Sequence, residues 1–195
     1  MSGITTLCIL GASGDLASRL LLPALGQLLA AEPTREVRLL GAGQDDWSDE
    51  RWRDVVRRAF STLDATGPAV DALLASTTYR RADGTDPAAL SALLAASQGH
   101  VALYFALPPA VAAKACAALG SVDLPPRIVL ALEKPFGTDE RSAHALNALL
   151  ATLVPEAQVH RVDHFLGRST VLNVIGMRFA NRVFEPVWSA EHVES

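Results

Sequence analysis

With 195 residues, half of them apolar, the chain can bury one full core and begin a second group of elements beyond it. A formal net charge of -4, with both signs spread along the chain, argues against nucleic acid as the main partner. No apolar run approaches the roughly 20 residues of a bilayer span, and the N-terminus lacks the basic stretch and cleavage-like site of a signal peptide, so neither membrane nor leader is expected.

Taken in chain order, residues 6–10 form an apolar run that ends in Gly11, the pattern of a buried strand. A helix is predicted over 15–31, with Pro23 kinking or restarting it. A second strand, 37–40, closes at Gly41 and Gly43. Helices follow over 49–60, with Ser48 as N-cap, and over 68–75. A polar strand at 78–81 precedes a helix at 87–96 entered through Asp86. Then come a strand at 101–106, a helix at 109–119, a strand at 128–132, a helix at 139–150 and a strand at 157–162. A last amphipathic helix runs from about 167 to 182, its apolar side meant for a core or an interface.

This alternation, with several strands apolar on both faces, predicts an α/β fold with a doubly wound parallel sheet of Rossmann-like type. The expected organisation is a dinucleotide-binding domain over 1–163 and the beginning of an incomplete α+β second domain over 164–195. The final stretch, 188–195, reads as a connection into more structure. Cys8 lies in a strand pattern and Cys116 in a helical one, so buried free thiols in a reducing cytoplasm are expected in place of a disulfide.

Three segments carry chemistry. Gly11, Ser13, Gly14 and Asp15 lie between the first strand and the first helix, where glycine permits close backbone approach and a helix start offers N–H groups to a pyrophosphate. The bland alternative is an ordinary tight turn. The second strand leaves through Gln44, Asp45 and Asp46. A carboxylate there bonds an adenosine ribose hydroxyl, whereas an arginine accommodates a 2'-phosphate. Arg51 and Arg53 lie one or two turns into the next helix and could swing back, and the two aspartates could simply cap that helix.

Lys134 is one of only two lysines among 17 basic residues. Set between Glu133 and Pro135 at the end of an apolar strand, it faces the edge where open parallel sheets bind ligands. Asp163, His164 and Arg168 follow the last strand. His164 and Arg168 can donate to phosphate oxygens, and Asp163 can orient a neighbouring base. His160 and His164 stand four apart, but on a strand they do not stack as zinc ligands on a helix face, and no third ligand is evident.

These residues resemble a known family. GASGDLA (11–17), ALPP (106–109), EKPFG (133–137), RVDHFLG (161–167) and RFANRVFEPVW (178–188) occur in the order and spacing of the N-terminal part of glucose-6-phosphate dehydrogenases. The resemblance implies oxidation of glucose 6-phosphate to the lactone with hydride passing to NADP, as in the pentose phosphate pathway. It implies that Gly11, Ser13, Gly14, Asp15 and Leu16 hold the pyrophosphate and that Lys134 contacts sugar and cofactor. Pro135 would be a hinge proline, His164 and Arg168 would hold the sugar phosphate, and Asp163 would orient the catalytic histidine.

Three departures stand out. Phe165 replaces a tyrosine and Arg168 a lysine. Gln44 replaces the arginine expected to read the 2'-phosphate, which makes NAD plausible. The family's general-base histidine and its dimer sheet lie downstream of Ser195. The 195 residues alone are therefore expected to turn over little, and a homodimer or tetramer is expected only of the complete protein. The competing readings are a stand-alone nucleotide-binding module without catalysis and a sugar oxidoreductase of the Gfo/Idh/MocA type.

Overall fold

The computed structural model describes residues 5–189, 191 and 192. The stretch 188–195, expected to connect onward, falls partly outside them. Two compact units divide at Arg161 and Val162. The first is built on a sheet in the order β3-β2-β1-β4-β5-β6, with β1 Thr5–Leu10, β2 Val37–Gly43, β3 Thr78–Arg81, β4 His100–Phe105, β5 Val129–Glu133 and β6 Val159–Val162. The pairs β1–β2, β1–β4, β2–β3 and β4–β5 are parallel. The sequence order reverses between β1 and β4, so the topological switch point lies at the end of β1.

Side-chain alternation along β1 feeds two cores. Ile9 points to one face, where α1 Leu22–Ala31, α2 Asp49–Ser61 and α3 Pro68–Ser76 pack with Trp52, Phe60 and Leu73. Cys8 and Leu10 point to the other, against α4 Pro87–Ala95, α5 Pro109–Leu119 and α6 Glu140–Leu153. Covering both faces is what makes these strands read as near-continuous apolar runs. Both cysteines are buried and free, and burial pushes each thiol up to about 12.

Pro23 does restart the first helix. Residues 15 and 16 are already helical, but Ala17–Leu21 is a π-helical turn in which the Leu22 N–H donates to the Ala17 carbonyl five residues back. Pro23 has no N–H to continue the ladder, so the wider turn absorbs the missing bond before α1 resumes. Ser48 caps α2 as expected, accepting from the Arg51 N–H at 3.1 Å.

The glycines at 41 and 43 do not end β2, which pairs with β3 through Gly43. A Cβ on Gly41 would lie 2.7 Å from the Trp52 ring, so the missing side chain makes room for the indole. The Trp52 N–H donates to the Thr77 hydroxyl at 2.8 Å, and that hydroxyl donates to the Leu39 carbonyl at 2.9 Å. The indole, its polar handle satisfied, thereby ties α2 to β2 and to the residue that precedes β3.

The second unit is helical in its described part: a 3-10 turn, His164–Gly167, then α7 Ser169–Ala180. No residue of α7 is buried, and Leu172, Val174, Ile175 and Met177 are exposed. Among the described residues no helix is long and apolar enough to cross a membrane.

Candidate dinucleotide site

The turn after β1 is shaped by one close approach. Gly11 has φ +81°, and a Cβ there would lie 2.2 Å from the Ala106 carbonyl oxygen, so only glycine fits. Its N–H and that of Ala12 both donate to the Ala42 carbonyl, at 2.8 and 3.0 Å, and the Gly14 N–H donates back to the Gly11 carbonyl at 3.0 Å. β1 is thereby joined to the ends of β2 and β4, and the chain enters the first helix with its backbone exposed to the switch point.

A cleft of about 320 Å³ opens there. It brings together Gly11, Ser13, Gly14, Gln44 and Asp45, with Asp83, Gly84, Leu107 and Pro108 on the far wall. Asp15 and Leu16 begin the helix just beyond Gly14. A small, backbone-lined floor at the carboxyl ends of β1, β2 and β4 suits a dinucleotide pyrophosphate. A second groove of about 400 Å³ shares Ser13 and is lined by Ser18, Trp47, Arg51 and Arg58. A larger hollow of about 480 Å³ lies at the amino end of β2, along residues 33–38 and α3, away from the switch point.

The exit of β2 is more organised than its sequence indicates. Asp45 does not cap α2, since Ser48 does; its carboxylate accepts from the Ser13 hydroxyl at 2.5 Å. Gln44 lines the cleft with Asp83, whose carboxyl is held below its usual value by the Thr85 N–H and hydroxyl first and by Gln44 last. Arg51 stacks on the Trp47 ring at 4.7 Å and lines the groove beside Ser13. Arg53 turns away, donating to the Leu74 carbonyl at 2.9 Å.

Beneath Ser13 and Gly43 lies the Tyr79 hydroxyl, a residue the sequence did not single out. It is 3% exposed and makes no well-formed hydrogen bond, although a Cβ on Gly43 would sit 2.7 Å from it. Burial raises its pKa; the adjacent Ser13 hydroxyl and Arg51 lower it, while the Asp45 charge raises it.

Lys134 follows β5 and is exposed, with a cis peptide bond to Pro135. The register places Leu10 beside Phe105 and Phe105 beside Leu132. Gly11 and Glu133 therefore leave the same edge of the sheet, two strand spacings apart, or roughly 10 Å. Glu133 itself accepts from the Tyr104 hydroxyl on β4, which the sequence also passed over. Burial, then this bond and the Glu133 charge, raise the Tyr104 pKa. Tyr104 pairs with Ala131, so Glu133, two residues further along β5, lies diagonally across on the same face.

In the second unit, Asp163 N-caps the 3-10 turn, its carboxylate accepting from the Phe165 N–H at 3.0 Å. The Arg168 guanidinium lies over the Phe165 ring at 4.9 Å. Phe165 thus lacks a hydroxyl to offer but gives Arg168 an aromatic surface that fixes its plane. His164 opens the same turn and is exposed. Among the described residues no group of three or more His, Cys, Asp or Glu side chains is placed to hold a metal.

Comparison with known proteins accounts for nearly the whole chain. The family model described as glucose-6-phosphate dehydrogenase, NAD binding domain, matches residues 8–173. The glucose-6-phosphate 1-dehydrogenase of Dickeya dadantii (strain 3937) is 36% identical over 96% of this chain and 40% of its own length. That of Gluconobacter oxydans (strain 621H) is 38% identical over 96% of this chain and 41% of its own. Among solved structures, the enzyme from Mycobacterium avium superposes with a TM-score of 0.78 at 33% identity, covering 96% of this chain and 42% of that one. A glucose-6-phosphate dehydrogenase in complex with glucose-6-phosphate gives 0.77 at 27% identity, with the same coverage. The chain thus spans about two fifths of the length of these relatives. Ordered motifs, fold and matched model set aside the Gfo/Idh/MocA reading, and the chain belongs to the glucose-6-phosphate dehydrogenase family, of which it carries the N-terminal part.

Proposed function

We propose that this chain is the coenzyme-binding portion of a dehydrogenase that oxidises glucose 6-phosphate at C1 to the lactone. The observation that carries this is the shared edge. A glycine-floored cleft at the switch point and Lys134 directly after β5 lie at the same edge of one parallel sheet. When bound, a nicotinamide dinucleotide, NADP by family expectation or NAD, supplies the hydride acceptor. Gly11 and Gly14, their N–H groups already bonded to the Ala42 and Gly11 carbonyls, give the loop its shape, and the backbone N–H groups of Ser13 and of the helix start at Asp15 and Leu16 hold the pyrophosphate. Lys134 contacts the sugar hydroxyls and the coenzyme as a compact cationic donor.

In the second unit, His164 and Arg168 hold the sugar phosphate, and Asp163 orients the histidine that takes the C1 hydroxyl proton as hydride leaves the same carbon. Asp163 already accepts a local N–H and Arg168 is already braced on Phe165, so both side chains have defined settings. The test is turnover by the complete protein that contains this chain, followed by nicotinamide absorbance. Lys134→Ala is expected to lower kcat/KM for glucose 6-phosphate by about 100-fold or more with the fold intact, in the range of a lost positioned proton-transfer or donor group. Oxidation of a different sugar phosphate, with glucose 6-phosphate inert under both coenzymes, would sink the reading.

A further inference from the structure

Resting on the dinucleotide reading above, we infer that Asp45, oriented by Ser13, selects an unphosphorylated adenosine ribose and makes this chain prefer NAD to NADP. Three observations converge on the end of β2. The Asp45 carboxylate is already turned toward the glycine loop by the Ser13 hydroxyl at 2.5 Å, leaving its second oxygen to accept from a ribose hydroxyl. The cleft shared by Ser13 and Asp45 is lined by two carboxylates, Asp45 and Asp83, and among the described residues by no cation. A 2'-phosphate placed beside Asp45 would meet like charge without a counter-ion in that wall.

Beneath this pair, the Tyr79 hydroxyl is buried and lacks a well-formed hydrogen bond. It adjoins Ser13 and Gly43 without lining the cleft, so it supports the floor beneath the site and does not itself meet a ligand. Of the neighbouring cations, Arg51 is stacked on Trp47 and lines the groove that shares Ser13, while Arg81 lines the hollow that shares Gln44 and Asp83; neither lines the cleft itself. Gln44, where the family pattern predicts the phosphate-reading arginine, is uncharged and lines the cleft with Asp83.

Calorimetric titration of the purified chain with NAD+ and with NADP+ tests this, using the wild type, Asp45→Asn, Ser13→Ala and Arg51→Ala. The wild type is expected to bind NAD+ at least about tenfold more tightly, the scale of one unfavourable charge contact. Asp45→Asn removes the charge but keeps the shape, so the preference should shrink by about tenfold, mainly through gained NADP+ affinity. Ser13→Ala should weaken NAD+ severalfold, and Arg51→Ala should leave the preference in place. Asp45 is exposed, and circular dichroism of each variant separates lost folding from lost selection.

Tighter NADP+ binding that Arg51→Ala abolishes would overturn the inference and assign the 2'-phosphate to Arg51. Binding of both coenzymes with a ratio that Asp45→Asn leaves unmoved would overturn the selector and spare the dinucleotide site. Binding of neither would overturn both.

Discussion

Gly11 is where chemistry and fold meet in one residue. Its positive φ costs an L-amino acid about 1–2 kcal/mol by itself. A Cβ there would also lie 2.2 Å from the Ala106 carbonyl, a backbone atom that cannot step aside without moving β4. Gly11→Ala is therefore expected to cost at least about 2 kcal/mol in a urea titration and to weaken coenzyme binding in the surviving folded fraction. An unchanged midpoint would show that the turn relaxes easily and that its shape is not what holds the cleft. The turn glycines announce themselves in sequence because they interrupt an apolar strand just before a helical period. Tyr79 and Tyr104 do not, because each lies within a strand where an aromatic residue reads as ordinary β-former. Only pairing brings Tyr79 under Gly43 and Tyr104 against Glu133.

At the scale of elements, most of the sheet and its helices were legible because apolar period and capping residue agree. Ser48 and Asp86 both cap the helices they precede. The end of β2 departs from its sequence pattern for a physical reason: glycine commonly ends a strand, whereas Gly41 and Gly43 stay in β2 and leave room for Trp52 and Tyr79 from elements later in the chain. α6 is the first element after Lys134, and its first turn shapes the loop that follows β5. Asp139 accepts from the Ser142 N–H at 2.7 Å, while the Ser142 hydroxyl accepts from the Asp139 and Thr138 N–H groups. The Ser142 hydroxyl, which donates to the Asp139 carboxylate at 2.7 Å, and next the Ser142 N–H hold that carboxyl below its ordinary value of 3.8. A depressed folded pKa contributes stability that is present above that value and is lost as pH falls through the folded one. Asp139→Ala should accordingly lower the thermal midpoint at neutral pH, and the gap to wild type should narrow below about pH 3.8. A gap that stays constant into acid would mean that the carboxylate's charge contributes nothing to the cap.

Over the whole molecule, the two units differ in what protects them. The first buries two cores on either side of its sheet, and its last residue, Arg161, is tied to Glu156 at 2.6 Å and to Asn147 at 2.8 Å. In the second, α7 buries no residue, and its apolar side chains Leu172, Ile175 and Phe179 are exposed. The sequence showed the helix and its apolar side because a 3.6-residue period is local. It could not show what that side meets, because burial depends on residues far away in the chain. Local opening tracks buried apolar contact, so brief trypsin treatment should cut first after Arg168, Arg178 or Arg182. The Lys134–Pro135 bond resists trypsin by its chemistry and Arg161 by its bonds, which leaves a long-lived fragment that contains all six strands. Mass spectrometry of the early digest reads this directly. A first cut inside residues 5–161 would mean that the sheet unit is the less stable of the two, contrary to the distribution of buried side chains.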